Sequence, residues 1–292
     1  MKKVIKLIYD RVPFKKSLFS IIKLIYKPPQ TIYRHLYFKG IIKVKIEDKS
    51  FKMYHFGYLI ENEIFWRGLT GGYEKVSISL WIELCKTSNC IMDIGANTGI
   101  YALVAKTLNA NAKVYAFEPV KRVYEKLKLN CGLNKYDIIC EELAISSYNG
   151  RGVIYDQDTE HIYSVTVNKN MSSPNTKVIT TDIQTVKIPT YIKEKKVPRV
   201  DLMKIDVETH EADVLAGMEE YLRQMRPTML IEILNDEVGE GVERILTGKN
   251  YLYFYIDENS YPLKVEHLIK RDFDNYLICS EEVAEKLRLL RN

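Results

Sequence analysis

Two short stretches of this 292-residue chain gather side chains that could do chemistry. In the first, Asp93-Ile94-Gly95-Ala96-Asn97-Thr98-Gly99, an acid stands two residues before a glycine, and an apolar segment follows the second glycine at once. Glycines at a strand-to-helix turn let a ligand approach the backbone closely. The acid narrows the choice of ligand. A turn that grips a pyrophosphate at a helix N-terminus is opposed by a carboxylate inside it, so Asp93 argues for a ligand bringing positive charge. Backbone N–H groups around Asn97 to Gly99 would meet a carboxylate of the same ligand. Glu118 ends the run Val114-Tyr115-Ala116-Phe117-Glu118-Pro119, 19 residues after Gly99. An acid there accepts hydrogen bonds from both hydroxyls of a ribose, although beside Pro119 it equally suits the start of a helix.

Ammonium, sulfonium, carboxylate and ribose together describe S-adenosylmethionine. The candidate cofactor residues are therefore Asp93, Gly95, Ala96, Asn97, Thr98, Gly99 and Glu118. No Gly-Lys-Ser/Thr follows the loop, which excludes Walker-type phosphate binding. An NAD-linked oxidoreductase is disfavoured by Asp93, and by Ala96 and Asn97 where a dinucleotide loop needs glycine. A non-catalytic glycan-binding module that kept the fold is the other competing class.

The second stretch is Met203-Lys204-Ile205-Asp206-Val207-Glu208-Thr209-His210-Glu211. Methyl transfer to a hydroxyl needs an aligned acceptor and a group to take its proton. Asp206, Glu208 and His210 are the candidates, and histidine has the pKa best suited to a base at neutral pH. The competing role is structural, since acids such as Glu208 and Glu211 favour the first turn of a helix beginning near His210. Asp206, Glu208 and Glu232 could ligate a divalent ion as oxygen donors, but no dedicated metal spacing is present and no metal is assigned.

These stretches require a frame. From residue 75 helix and strand signals alternate: helix 75 to 87, strand 89 to 94, helix 99 to 108, strand 112 to 117, helix 119 to 132 and strand 136 to 140. That is the rhythm of an α/β fold with a mostly parallel, doubly wound sheet. Ligands bind such sheets at the carboxyl ends of the strands, where both stretches fall. Residues 141 to 199 interrupt it with a Ser/Thr/Asn-rich, strand-rich excursion, including Tyr163 to Val167 and a tip near Met171 to Thr176, before a short helix at 188 to 196. Strand 200 to 205, helix 210 to 224 and strand 228 to 234 resume the pattern. Helix 238 to 247, strands 251 to 256 and 274 to 279 and a helix 281 to 290 complete the domain assigned to residues 75–292.

From Phe65 to Ile233 the chain resembles the FkbM family of methyltransferases. The resemblance rests on Gly72-Tyr73-Glu74, the Asp93 to Gly99 loop, Val114 to Pro119, and the block Asp201 to Glu208 with Glu211, Arg226-Pro227 and Glu232. It implies a Rossmann-like sheet of about seven strands and O-methylation of a hydroxyl, often on a sugar or a natural product. Glu74 joins the cofactor candidates through this resemblance, with helix capping as its other role. Thr209 departs from the family pattern, which usually has glycine there. A β-branched residue disfavours positive φ, so a reshaped turn is expected.

Residues 1 to 45 carry twelve Lys/Arg against the single acid Asp10, while the whole chain has a net charge of +5. The 1–74 segment reads as short helices broken at Pro13 and Pro28-Pro29, with Phe14, Leu18, Ile21, Ile22 and Ile25 at helical spacing, then a β-hairpin around Ile42 to Met53. Three partners suit such a basic arm: the catalytic sheet or a second copy, an anionic membrane surface through residues 1–28, and, least well, nucleic acid. Five unpaired-looking cysteines and the lack of a roughly 20-residue apolar span point to a cytoplasmic protein, possible membrane contact being peripheral only. Acceptor identity and oligomeric state leave no signal.

Overall fold

The computed structural model describes residues 9, 12–157, 178–218 and 220–290; Tyr163 to Val167 and the Met171 to Thr176 tip lie outside them. The chain divides into the units Met1–Lys75 and Val76–Asn292. In the first, α1 (Lys15–Ile25) and α2 (Gln30–Tyr33) precede the hairpin β1 (Gly40–Ile46) and β2 (Lys49–His55), and α3 (Leu59–Arg67) follows. Alternation places Ile42, Val44, Ile46, Phe51 and Met53 inside and Lys43, Lys45 and Lys52 outside. Asn62 of α3 joins the pieces, donating to the Tyr33 carbonyl at 2.6 Å and meeting His55 Nε2 at 3.3 Å. The apolar residues of α1 do not all turn inward. Phe19 packs between Phe38 and Trp66, whereas Phe14, Leu18, Ile21 and Ile25 face solvent.

The second unit runs α4 (Lys75–Cys85), β3 (Cys90–Ile94), α5 (Ile100–Leu108), β4 (Lys113–Phe117), α6 (Lys121–Asn134), β5 (Ile139–Glu141), β6 (Ala144–Ile145), β7 (Gly150–Gln157) and β8 (Val178–Val186). It continues with α7 (Ile188–Lys195), β9 (Leu202–Ile205), α8 (Glu211–Met218), α9 (Glu220–Met225), β10 (Thr228–Glu232), α10 (Asp236–Leu246), β11 (Leu252–Ile256), β12 (Pro262–Val265), β13 (Asn275–Cys279) and α11 (Glu281–Lys286). Eight of these strands form one sheet in the order β12-β11-β13-β10-β9-β3-β4-β5. From β5 to β10 neighbours are parallel, and β13 is inserted antiparallel to both β10 and β11. β6, β8 and β7 make a small separate sheet, the described part of the excursion.

Strands buried on both faces read as continuous apolar runs, and every residue of β3, β9 and β13 is buried. Val214, Leu215 and Met218 of α8 and Leu222 of α9 have no exposed surface and fill one core with Met92, Ile205 and Ile231 of the sheet. The chain leaves β3 toward β4 and β5 on one side and returns to β9 and β10 on the other. The crevice over the carboxyl ends of β3 and β9 is therefore the topological switch point, where open α/β sheets bind ligands. Among the described residues no helix is long and apolar enough to cross a membrane.

Candidate active site

Asp93 is the fourth residue of β3, and its side chain ends up beneath the glycine loop. It is 1% exposed, and Oδ2 accepts the Ala102 N–H at 2.9 Å, so the carboxylate ties the loop to the first turn of α5. Burial pushes its pKa up to about 7, against the pull of Lys204 and of the Ala102 N–H. The loop then folds back on β4, with Gly95 and Ala96 N–H both donating to the Phe117 carbonyl at 3.0 and 2.9 Å. Two neighbours account for the glycines. A Cβ on Gly95 (φ 79°) would lie 1.8 Å from the Asp206 carbonyl oxygen, and one on Gly99 (φ 90°) would lie 2.5 Å from Leu127 Cδ1. Close packing of β9 and α6 thus demands glycine here independently of any ligand. Asn97 also has positive φ, and Thr98 is held through its carbonyl by Asn130 Nδ2 at 2.8 Å.

Glu118 closes the crevice on the β4 side. Its Oε2 accepts the Asn97 N–H at 3.1 Å and Oε1 accepts the Val120 N–H at 2.9 Å, so the acid braces the loop and starts α6 at once. Burial pushes its pKa up to about 7 as well; the two N–H donors and Arg122 lower it, and the charge of Asp93 raises it. A carboxylate oxygen has lone pairs to spare after one such bond. Glu74, buried and with φ of 47°, belongs to the Met1–Lys75 unit.

On the other side of the switch point stands a lysine that the sequence reading left without a role. Lys204, in register with Asp93 on β3 and Leu230 on β10, is 1% exposed in mid-sheet. A buried ammonium must be paired. Its Nζ lies 3.4 Å from Asp206 Oδ2, 3.3 Å from Asn275 Oδ1 and 5.3 Å from the ring centre of Tyr101. The signal was its charge inside the apolar run Leu202 to Ile205, where a lysine survives only with partners. Asp206 leaves the strand with its side chain 31% exposed, its N–H held by the Ile94 carbonyl at 3.0 Å.

The turn after β9 is left-handed at two successive residues. Glu208 has φ of 55° and Thr209 of 79°, so the β-branched residue occupies a conformation suited to glycine. Glu211 accepts the Val207 N–H at 3.0 Å across this turn, while its Oε2 is buried without a hydrogen-bond partner among the described residues. Burial pushes that carboxyl up to about 7.

His210 turns away from Asp206. Its Nε2 lies 2.9 Å from Ser146 Oγ, its Nδ1 3.3 Å from Asp213 Oδ2, and Ser146 is wholly buried. Burial lowers its pKa, partly offset by Asp213. A carboxylate only accepts, so Nδ1 carries the proton of the neutral ring and Nε2 receives the Ser146 hydroxyl. Gly217 permits the approach: a Cβ there would meet the Ser146 carbonyl at 2.2 Å. The structure thus brings Asp93, Glu118 and Asp206 around one crevice and leaves His210 hydrogen-bonded to Ser146 with Nδ1 facing Asp213. Among the described residues no group of three or more His, Cys, Asp or Glu could hold a metal ion. A separate cavity of about 680 Å³, lined by Arg199, Arg226, Tyr251 and Ser280, lies at the opposite ends of the strands and includes none of these residues.

A doubly wound sheet whose switch point carries a glycine loop and buried acids defines a Rossmann-like cofactor-dependent enzyme. Residues 93–257 match the model of the Methyltransferase FkbM domain, more than half of the chain, and the protein belongs to that family of methyltransferases. It is similar to the hexuronic acid methyltransferase AglP of Haloferax volcanii, 27% identical over 63% of this chain and 72% of that one. It is also similar to the 2-O-methyltransferase NoeI of Sinorhizobium fredii, 29% identical over 63% of this chain and 82% of that one. Among solved structures, the methyltransferase FkbM of Methylobacillus flagellatus superposes with a TM-score of 0.43 at 14% identity, covering 65% of this chain and 43% of that one.

Proposed function

We propose that this methyltransferase transfers the methyl group of S-adenosylmethionine to a hydroxyl of a sugar or glycan. The observation that carries the reading is the pair of buried acids at the switch point, Asp93 beneath the loop and Glu118 at the tip of β4. They would oppose a diphosphate and favour a cationic nucleoside. When bound, the cofactor supplies a methyl group made electrophilic by its sulfonium. Glu118 suits the ribose hydroxyls, because each oxygen keeps acceptor capacity after its backbone bond. Asp93 acts through its field and by fixing the start of α5, while the backbone of Gly95, Ala96, Asn97, Thr98 and Gly99 forms the cradle.

Asp206 is the side chain we place against the acceptor. It stands partly exposed at the strand end beside the Lys204 ammonium, a geometry suited to orienting a hydroxyl and taking its proton. Glu208, on the left-handed turn next to it, belongs to the same acceptor side. His210 is a positioning residue, since Nε2 bonds Ser146 and Nδ1 faces the Asp213 carboxylate. A saccharide is favoured by the similarity to a hexuronic acid methyltransferase. The test is incubation of the purified protein with methyl-labelled S-adenosylmethionine and a panel of uronic-acid and neutral oligosaccharides, read by mass spectrometry. Gain of one methyl on a hydroxyl is expected; failure to bind S-adenosylhomocysteine in calorimetry, or binding of reduced nicotinamide instead, would overturn the reading.

A further inference from the structure

The Met1–Lys75 unit carries a feature that methyl transfer does not use. On α1 the residues Leu18, Ile21 and Ile25 follow one another at spacings of three and four, which places them on a single stripe, and Phe14 stands at the N-terminal boundary of the helix. All four are exposed, from 50% at Leu18 to 84% at Ile25, and Leu24 beside them is 85% exposed. The side of the helix facing its own unit holds Phe19 together with two lysines. Lys15 Nζ donates to the Tyr9 carbonyl at 2.9 Å, and Lys23 donates to the Phe65 carbonyl in the last turn of α3, where a cation suits the helix dipole. Part of the helix's charge is therefore spent inward, and its apolar stripe is left in water.

The unit that bears this stripe is strongly basic. Residues 1–75 contain sixteen Lys/Arg and six Asp/Glu, a net charge of +10, against −5 for the remainder. Lys16 and Lys27 are exposed on and just after α1, and the outer face of the hairpin presents Lys43, Lys45 and Lys52. An exposed apolar stripe on a cationic body matches one kind of partner in both respects. The interfacial region of an anionic bilayer accepts large apolar side chains to a shallow depth and attracts lysines through its surface potential. Nucleic acid would answer the lysines but not Phe14, Leu24 and Ile25. A second copy of this chain would cover the stripe but bring another +10 toward it.

We infer that α1 docks the protein peripherally on an anionic lipid surface through Phe14, Leu18, Ile21, Leu24 and Ile25. This inference is independent of the methyl acceptor. Flotation of the full chain with phosphatidylcholine vesicles, with and without about one third phosphatidylglycerol, tests it. Recovery with the anionic vesicles is expected, with little on neutral ones and loss in high salt. Ile21→Ser/Ile25→Ser should lower partitioning by about tenfold or more, and Lys43→Glu/Lys45→Glu should lower it as well. Both pairs are exposed, so unchanged circular dichroism and unchanged binding of S-adenosylhomocysteine should accompany the loss. Equal flotation of wild type and the Ile variant would overturn the inference. So would a dimer in sedimentation analysis that dissociates in the Ile variant, which would assign the stripe to a second copy.

Discussion

At the scale of single residues, the site divides into groups that hold the loop and one that faces outward. Asp206 is a partly exposed carboxylate at the switch point, whereas His210 bonds Ser146 and faces Asp213. Removing a general base typically lowers turnover by 10² to 10⁴. Asp206→Asn is therefore expected to cut kcat by about 10² or more with little change in cofactor affinity, and His210→Ala by less than about tenfold. Steady-state kinetics of both variants decide the matter. The reverse ranking, with an acid limb in the His210 pH profile that moves when Asp213 becomes Asn, would return the base to His210. Thr209 offers a separate test on stability. A β-branched residue at φ of 79° is strained, and the penalty for left-handed backbone in an L-residue is roughly 1 to 2 kcal/mol. Thr209→Gly should relieve it, less the entropy glycine loses on folding, for a net gain of about 0.5 to 1 kcal/mol in denaturant unfolding. A net loss would show that the Thr209 side chain contributes contacts worth more than the strain.

At the scale of elements, helices and strands were legible where one apolar face or a short apolar run makes the period plain. The stripe Val123, Leu127 and Cys131 is buried in α6, and the strands expected at 89 to 94 and 200 to 205 are β3 and β9. The cofactor loop was legible for the same reason, since glycine, acid and helix start are neighbours in sequence. Its glycines were read as space for a ligand, yet Gly95 and Gly99 answer first to Asp206 and Leu127, which are neighbours only in three dimensions. α3 and β12 were not foreseen. The first buries polar Glu61, Asn62 and Glu63 beside its apolar residues, so no apolar face stands out; the second is a four-residue strand with two exposed positions at the sheet edge. Glu258 illustrates what local pattern cannot carry. From a loop after β11 its buried carboxylate accepts the Val76 and Ser77 N–H groups at 2.6 and 3.1 Å and the Ser77 hydroxyl, capping α4 from 182 residues away. Loss of a helix cap costs about 0.5 to 2 kcal/mol, and stranding buried donors adds to it. Glu258→Ala should lower the melting temperature by roughly 2 to 8 °C, read by calorimetry; a shift under 1 °C would mean that water or another side chain takes over the cap.

At the scale of the whole molecule, the buried acids make folding and cofactor binding respond to pH in opposite directions. Asp93, Glu118 and Glu211 are each pushed up to about 7, chiefly by burial, from ordinary values of 3.8 to 4.5. Across the interval between these values the folded chain holds protons that the unfolded chain has released. The unfolded state binds fewer, so the stability of the ligand-free protein falls as pH rises, by about 1 kcal/mol per group and pH unit while that group titrates alone. His55, pushed down to about 4, and His210, also lowered, act with the opposite sign, because each must be charged below 6.5 in the unfolded chain but not in the folded one. The acids outweigh the histidines between pH 6.5 and about 7.5, where three carboxyls lose their protons while the unfolded histidines are already half neutral or more. Over this window the melting temperature of the ligand-free protein should fall. A cationic cofactor favours the ionised acids, so its affinity should rise across the same window, with release of protons that calorimetry in two buffers of different ionisation enthalpy would count. Asp93→Asn should flatten both trends, since the amide keeps an acceptor for the Ala102 N–H but has no proton to lose. Affinity that is constant from pH 6.5 to 7.5, with no proton release, would remove these carboxylates from the binding of the positive charge and leave them a purely structural part in the loop.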